Sequence, residues 1–201
     1  IHAEAGYARA VVKTFTGVSV TDGKLTIGFS SVTNNAIVSA IEVIKEDATT
    51  ITSAVLTNSG GSSYKDSQSR TWAADAAFSG GVSGSQSISV SNTSSDALYQ
   101  RYRYASNGAP FSYNIPVASG RYTVKLHFAE PYFKKSGARK FNVDVEGARK
   151  LSSYDIHAEA GYARAVVKTF TGVSVTDGKL TIGFSSVTNN AIVSAVEVIK
   201  E

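Results

Sequence analysis

Residues 121–129 of this 201-residue chain are Arg-Tyr-Thr-Val-Lys-Leu-His-Phe-Ala, an alternation of apolar and polar side chains. Successive side chains of a β-strand point to opposite faces, so Tyr122, Val124, Leu126 and Phe128 share one face. The pattern therefore predicts a strand that contributes one face to a hydrophobic core. His127 falls on the opposite face, and we expect it at the surface or the rim.

The surrounding sequence has the same character. Residues 140–146 alternate in the same way, residues 111–120 and 191–200 also indicate strands, and Asp177-Gly178 predicts a tight hairpin turn. No stretch of ten or more residues has a convincing helical period. Many short strands separated by Gly, Asn and Ser turns predict an all-β protein, a β-sandwich of the jelly-roll type.

Composition excludes several classes of protein. The chain has 42% hydrophobic residues, enough for one domain with a sizeable core. It has no cysteine, which excludes a disulfide scaffold, a thiolate metal site and a cysteine nucleophile. The net charge of +4 is weak support for nucleic-acid binding, and no apolar run approaches the ~20 residues of a membrane span.

A long internal repeat organises the chain. Residues 1–46 and 156–201 are identical except that Ile41 in the first copy is Val196 in the second. We therefore expect residues 51–201 to form a complete unit, residues 47–50 to be a linker, and residues 1–46 to duplicate the end of the unit. The duplication has two candidate origins, a natural array of near-identical repeats and an engineered segment.

The two copies should compete for one partner segment. Exchange of Ile for Val in a core costs only about 0.5–1.5 kcal/mol, so both copies should bind residues 47–155 almost equally well. Unpaired strands tend to find partners. The sequence thus predicts swapped or permuted pairing, and self-association through the duplicated segment.

Catalytic and metal-binding patterns are weak. His127 and His157 have no second ligand at metal-binding spacing, and there is no nucleophile elbow. Asp66, Asp75, Glu130 and Asp144 leave a glycosidase pair open as a minor alternative. We expect no enzyme activity, no cofactor and no metal.

Exposed aromatic residues are the stronger functional signal. Pro131 should end the strand that begins near residue 121, which would place Tyr132 and Phe133 on a loop. Aromatic rings on a rigid loop offer flat faces on which the C–H patches of sugars stack. By contrast, Tyr113 and Tyr122 alternate with polar residues and should lie in the core.

The sequence also resembles the malectin and malectin-like carbohydrate-binding domains. The resemblance covers nearly all of residues 51–201, and again residues 1–46. It rests on a set of motifs: Thr71-Trp-Ala-Ala-Asp75, Phe78-Ser-Gly-Gly81, Leu98-Tyr-Gln100, Tyr122-Thr-Val-Lys-Leu-His-Phe-Ala-Glu130, Tyr132-Phe133, Phe141-Asn-Val143 and Asn189-Asn-Ala191.

The resemblance implies a galactose-binding-like β-sandwich that binds glucose-containing oligosaccharides without catalysis. Tyr104, Tyr132 and Phe133 match the family's ligand aromatics. Asn189 or Asn190 lies near its late acidic ligand, and Phe78 lies near an earlier ligand tyrosine, so the sequence departs from the family at both places. Arg103, like the two asparagines, is a candidate partner for sugar hydroxyls.

We therefore expect a secreted or cell-surface glycan-binding module, with neither nucleic acid nor membrane as a partner. A repetitive extracellular bacterial protein would explain the tandem copies. The alternative is a structural or adhesin repeat, a stalk or assembly module that binds no sugar.

Overall fold

A computed structural model describes residues 54–201 and 23–43, together with Lys13, Phe15 and Val20. The chain divides into two compact units, residues 1–50 and residues 51–201. Residues 23–43 contain neither helix nor strand. The expected linker at residues 47–50 lies outside the described residues.

The second unit is built almost entirely of short strands, as expected. Its two short α-helices are α1 (Asp96–Tyr99) and α2 (Ile156–Ala160), and Ser106–Gly108 forms a 3₁₀ turn. Its strands are β1 (Val55–Asn58), β2 (Tyr64–Lys65), β3 (Thr71–Trp72), β4 (Phe78–Ser79), β5 (Val82–Ser85), β6 (Arg101–Tyr104), β7 (Phe111–Pro116), β8 (Gly120–Phe128), β9 (Lys140–Val145), β10 (Ala148–Tyr154), β11 (Val166–Val175), β12 (Lys179–Thr188), β13 (Ile192–Val193) and β14 (Ala195–Lys200).

Two antiparallel sheets form a β-sandwich, which confirms the predicted fold class. One sheet has the strand order β1-β14-β8-β11, and the other has the order β10-β9-β12-β7-β4. Their inner faces share one hydrophobic core, in which Phe128 of β8 lies 5.7 Å from Phe141 of β9 between ring centroids. The alternating residues of β8, β9, β7 and β12 supply this core because they point inward at every second position.

The two tyrosines expected in the core are there. Tyr113 and Tyr122 are both buried. Each hydroxyl has a hydrogen-bond acceptor, the Asp75 carboxylate for Tyr113 and the Ala118 carbonyl for Tyr122. A buried phenol needs such a partner to offset its lost hydration.

The turn at Asp177-Gly178 is present, but the predicted hairpin is wrong. Gly178 has φ +80°, the left-handed conformation that favours glycine. The strands on either side do not pair, because β11 pairs with β8 while β12 pairs with β7 and β9. The turn instead carries the chain from one sheet to the other, a topology that local sequence does not reveal.

The expected surface position of His127 is also wrong. His127 does point away from the main core, but a second core covers that face of β8, and the residue is 7% exposed. Its ring lies edge-on to Trp72, and its Nδ1 is 2.9 Å from the Tyr99 hydroxyl. Burial raises the pKa of that Tyr99 hydroxyl to about 12.

Glu197 of β14 joins this second core to the charged residues around it. Its carboxylate lies 3.6 Å from His127 Nε2, 3.7 Å from Lys125 Nζ and 3.5 Å from Arg70 Nη1. Burial alone would raise the Glu197 pKa. The neighbouring His127 ring and the charges of Lys125 and Arg70 outweigh it and lower the pKa below the usual 4.5.

The lowered pKa of Glu197 predicts that Glu197→Gln changes stability in a pH-dependent way. Because the folded pKa lies below the unfolded one, the carboxylate stabilises the protein above about pH 4.5, and the contribution disappears as the pH falls through the folded pKa. We expect the variant to lose about 1–3 kcal/mol of unfolding free energy near pH 7. Urea unfolding of both proteins should show the difference shrinking as the pH falls below 4.5 and through the folded pKa. A difference independent of pH would contradict this account.

Candidate functional site

Two tyrosines of β6 mark the candidate site. β6 lies between β5 and β13 in a small third sheet, where Tyr104 is opposite both Val82 and Ile192. Tyr102 and Tyr104 are two residues apart and share a face, with their ring centroids 5.9 Å apart. Both side chains are half-buried, which leaves part of each ring accessible.

The loop after β8 is held by a buried carboxylate. Glu130 is fully buried, and its Oε1 accepts hydrogen bonds from the backbone N–H groups of Tyr132 and Phe133, at 3.1 and 3.0 Å. Its Oε2 accepts a 2.6 Å bond from Arg139 Nε. The aromatic pair predicted to lie on this loop is therefore fixed by hydrogen bonds, as a rigid recognition surface requires.

Arg139 links that loop to the asparagine pair. Its guanidinium lies 5.0 Å from the Phe133 ring centroid, and its Nη1 donates a 2.5 Å hydrogen bond to the Asn190 carbonyl. Tyr132 is 68% exposed, and its ring stands edge-on to Phe133 with centroids 5.3 Å apart. The exposed Tyr132 ring and the Phe133 ring therefore lie next to the buried Glu130–Arg139 ion pair.

The two asparagines lie at the tip of the turn before β13. Asn189 adopts φ +53°, and its Nδ2 donates to the Ala138 carbonyl at 2.6 Å. Asn190 Oδ1 accepts from the Gly108 N–H at 3.0 Å. These bonds orient both amides at the same end of the sandwich as Arg139, and Asn189 is exposed.

The electrostatics tie the tyrosines to the same cluster. Burial raises the pKa of the Tyr102 hydroxyl, and the nearby Arg139 charge partly offsets this rise. Tyr102 thus stays protonated at neutral pH and remains a hydrogen-bond donor. Within residues 51–201, the structure therefore brings Tyr104, Tyr132, Phe133, Asn189 and Asn190 to one end of the sandwich.

Arg103 and Phe78 lie elsewhere. Arg103 alternates with the two tyrosines, so its side chain is on the other face of β6, where its guanidinium binds the Asp75 carboxylate at 2.7 Å. Its Nη1 donates to the carbonyls of Gly80 and Gly81, and its guanidinium carbon lies 3.3 Å from the Phe78 ring centroid. The structure does not group either residue with the tyrosine face.

Sequence reasoning missed three residues of this site: Tyr102, Glu130 and Arg139. Tyr102 had a signal, since it shares a strand face with Tyr104 two residues away. Glu130 follows the strand in the motif that carries the resemblance, but its partner Arg139 is set by the loop geometry. Nothing in the spacing marks that pair.

The four carboxylates considered as a glycosidase pair have structural partners instead. Each binds an arginine: Asp66 with Arg70, Asp75 with Arg103, Glu130 with Arg139 and Asp144 with Arg149. Among the described residues no group of three or more His, Asp or Glu side chains could hold a metal ion. Within the same residues, no helix is long and apolar enough to cross a membrane.

A matched pair of glycine substitutions tests how tightly Tyr102 is held. A Cβ at Gly84 would press on the Tyr102 ring, with Cζ at 2.9 Å, whereas a Cβ at Gly183 meets Asp144 at an ordinary 4.0 Å. We expect Gly84→Ala to displace the ring and cost about 1–3 kcal/mol of unfolding free energy. Gly183→Ala, also in a strand, should cost less. Thermal unfolding of both variants checks this, and equal losses would count against it.

Residues 53–200 match the malectin domain family. The chain belongs to this family. It is 34% identical over 93 residues to Malectin-B of Xenopus laevis, covering 46% of this chain and 33% of that protein. It is 37% identical over 108 residues to a probable leucine-rich repeat receptor-like serine/threonine-protein kinase of Arabidopsis thaliana, covering 50% of this chain and 10% of that protein. The chain thus spans a third or less of these relatives.

Solved structures share the fold at low identity. The ANX1 ectodomain of Arabidopsis thaliana superposes with a TM-score of 0.66 at 18% identity, over 73% of this chain and 48% of that one. A Bacteroides uniformis beta-glucuronidase superposes with a TM-score of 0.64 at 20% identity, over 74% of this chain and 18% of that one. The same fold is therefore found in this ectodomain and in part of this beta-glucuronidase.

Proposed function

We propose that residues 51–201 form a non-catalytic module that binds glucose-containing oligo- or polysaccharide at the Tyr104, Tyr132, Phe133, Asn189 and Asn190 end. The observation that carries the proposal is the exposed Tyr132 ring beside the half-buried Phe133, both held by Glu130 and backed by Arg139. Membership of the malectin domain family supports it.

The mechanism follows from the chemistry of sugars. The Tyr132 ring would stack on one sugar face, and the rings of Tyr102 and Tyr104 would contact its edge. The amides of Asn189 and Asn190 and the tyrosine hydroxyls would bond the sugar hydroxyls. A single open site of this kind should bind with Kd on the order of 1 mM to 1 μM, about −4 to −8 kcal/mol.

The same arrangement argues against a hydrolase. The Glu130 carboxylate near the tyrosine end already binds Arg139 and the backbone N–H groups of Tyr132 and Phe133. Glycoside hydrolysis needs two carboxyl groups that face the scissile bond. We infer binding without turnover, in a secreted or cell-surface protein in which tandem copies would raise avidity.

A glycan array of the full chain tests the proposal. We expect binding to α- or β-glucosyl oligosaccharides that a free glucosyl disaccharide competes away. Incubation for hours should release no shorter sugars. Absence of binding to every glycan would overturn the proposal in favour of a structural or adhesin repeat. Release of shorter sugars would overturn its non-catalytic part.

A further inference from the structure

One sequence lies in two contrasting environments in this chain. Residues 156–201 supply β11 and β14 to one sheet of the sandwich, β12 to the other, and β13 to the small third sheet. Leu180, Ile182 and Phe184 of β12 are 0–1% exposed in the core. The same residues in the first copy, Leu25, Ile27 and Phe29, are 38%, 47% and 55% exposed.

The later strands show the same contrast. Ile192, Val196 and Val198 are buried, while their counterparts Ile37, Ile41 and Val43 are exposed. The described part of the first copy therefore exposes apolar side chains that the second copy buries against a defined surface. The strands that pair with the second copy form that surface: β1, β6, β7, β8 and β9.

We propose that residues 1–46 dock in place of residues 156–201 on these acceptor strands of the same chain. The domain then exchanges between two arrangements: the observed frame, in which residues 156–201 complete the sandwich, and the exchanged frame, in which residues 1–46 do. The only difference between the copies is Ile41 against Val196, which corresponds to about a two- to twelve-fold preference. Both frames are thus populated unless chain connectivity forbids one of them.

Connectivity permits the second frame. In the structure Val198 of β14 lies opposite Val55 of β1 in an antiparallel pair. The equivalent Val43 would reach Val55 through residues 44–54, within the length of ordinary loops. The exchanged frame is a circular permutation of the observed one, and domains with exposed connections tolerate such permutation.

The first copy should dock on the acceptor strands of its own chain rather than on those of a second chain. Each chain has two donor copies and one set of acceptor strands, so a dimer of two chains would still leave two donors unpaired. Association between chains gains no apolar burial over exchange within one chain. Exchange within the chain also has the higher effective concentration of partners.

Engineered disulfides in this cysteine-free chain test the exchange. Thr181 of β12 and Asn114 of β7 are opposite each other, with Thr181 Oγ1 3.4 Å from Asn114 Oδ1. The Asn114 N–H points away, to the Ala77 carbonyl, so this is a non-hydrogen-bonded pair with close Cα atoms. The counterpart of Thr181 in the first copy is Thr26.

Three double variants of the full chain are then oxidised at low concentration. Asn114→Cys/Thr181→Cys should close in the observed frame, and Asn114→Cys/Thr26→Cys should also close, at an early rate within about two- to twelve-fold of the first. The control Asn114→Cys/Thr33→Cys should stay open, because its counterpart Thr188 is opposite Lys140 rather than Asn114. Mass spectrometry and size-exclusion chromatography report closure and chain number.

Three results would overturn the proposal. One is an open Asn114→Cys/Thr26→Cys variant under conditions that close Asn114→Cys/Thr181→Cys. Another is equal closure of the Thr33→Cys control. A disulfide at a position that is not opposite Asn114 would form by random contact and would not require a docked strand. The third is a disulfide between two chains, which would place the acceptor in a second copy.

Discussion

Replacing both loop aromatics, as Tyr132→Ala/Phe133→Ala, is expected to abolish retention on the glucosyl glycan that the full chain binds. The loss should be about a hundredfold or more, near 3 kcal/mol, because Tyr132 supplies the stacking face and Phe133 supports it edge-on. The thermal midpoint should fall less than the affinity, since Tyr132 is 68% exposed and only Phe133 is half-buried. Affinity electrophoresis and thermal unfolding of the same preparation separate the two effects.

Phe78→Ala is the matched control for this variant. Phe78 is also an exposed aromatic residue, but it stacks on Arg103 on the other face of β6. Its removal should leave glycan retention unchanged. Retention unaffected by the double variant would place the binding site elsewhere, and retention lost in Phe78→Ala would extend the site across β6.

Arg139→Ala is expected to be the most destabilising single change at this end, at about 3–5 kcal/mol of unfolding free energy. The substitution leaves the Glu130 carboxylate fully buried without its charged partner. It also removes the hydrogen bond to the Asn190 carbonyl and the contact with Phe133. Glycan binding should fall with it, even at temperatures where the variant is folded.

Two further variants show whether burial causes the loss. Arg149→Ala breaks an exposed pair with Asp144 and should cost only about 0–1 kcal/mol. Arg139→Ala/Glu130→Gln removes the buried charge and should recover part of the lost stability. If chemical denaturation gave equal costs for Arg139→Ala and Arg149→Ala, the Glu130–Arg139 pair would not support the site as described.

Local patterns predicted the strands well and their partners less well. Alternation in residues 121–129 and 140–146 placed β8 and β9 and identified their core faces. The pattern around Asp177-Gly178 predicted a turn but could not say that β11 and β12 join different sheets. Strand pairing depends on contacts distant in sequence, which alternation does not encode.

His127 and Arg139 show the same limit at the level of side chains. Alternation put His127 on the outer face of β8, but a separate core formed by Trp72, Leu98 and Tyr99 covers that face. Arg139 is one of several basic residues in the sequence, and only the fold brings it to the buried Glu130. The position of Tyr132 and Phe133 on the loop after β8 followed from Pro131 and the end of the alternation, whereas their role in binding stays a prediction.

The duplicated segment shows that identical sequences can lie in different environments. Residues 25–29 and 180–184 have the same sequence, yet one stretch is exposed and the other lies in the core. Sequence predicts a propensity to form this strand. Access to an acceptor surface decides whether the strand forms.

Amide chemical-shift mapping of the isotope-labelled full chain shows whether the aromatic end of the sandwich binds a glucosyl glycan. We expect a glucosyl oligosaccharide to shift the amide signals of Tyr104, Tyr132, Phe133, Asn189 and Asn190 in a saturable way. A different set of shifts, centred on the open groove of about 350 Å³ along the five-stranded sheet at Ser112, Asp144 and Gly183, would contradict it.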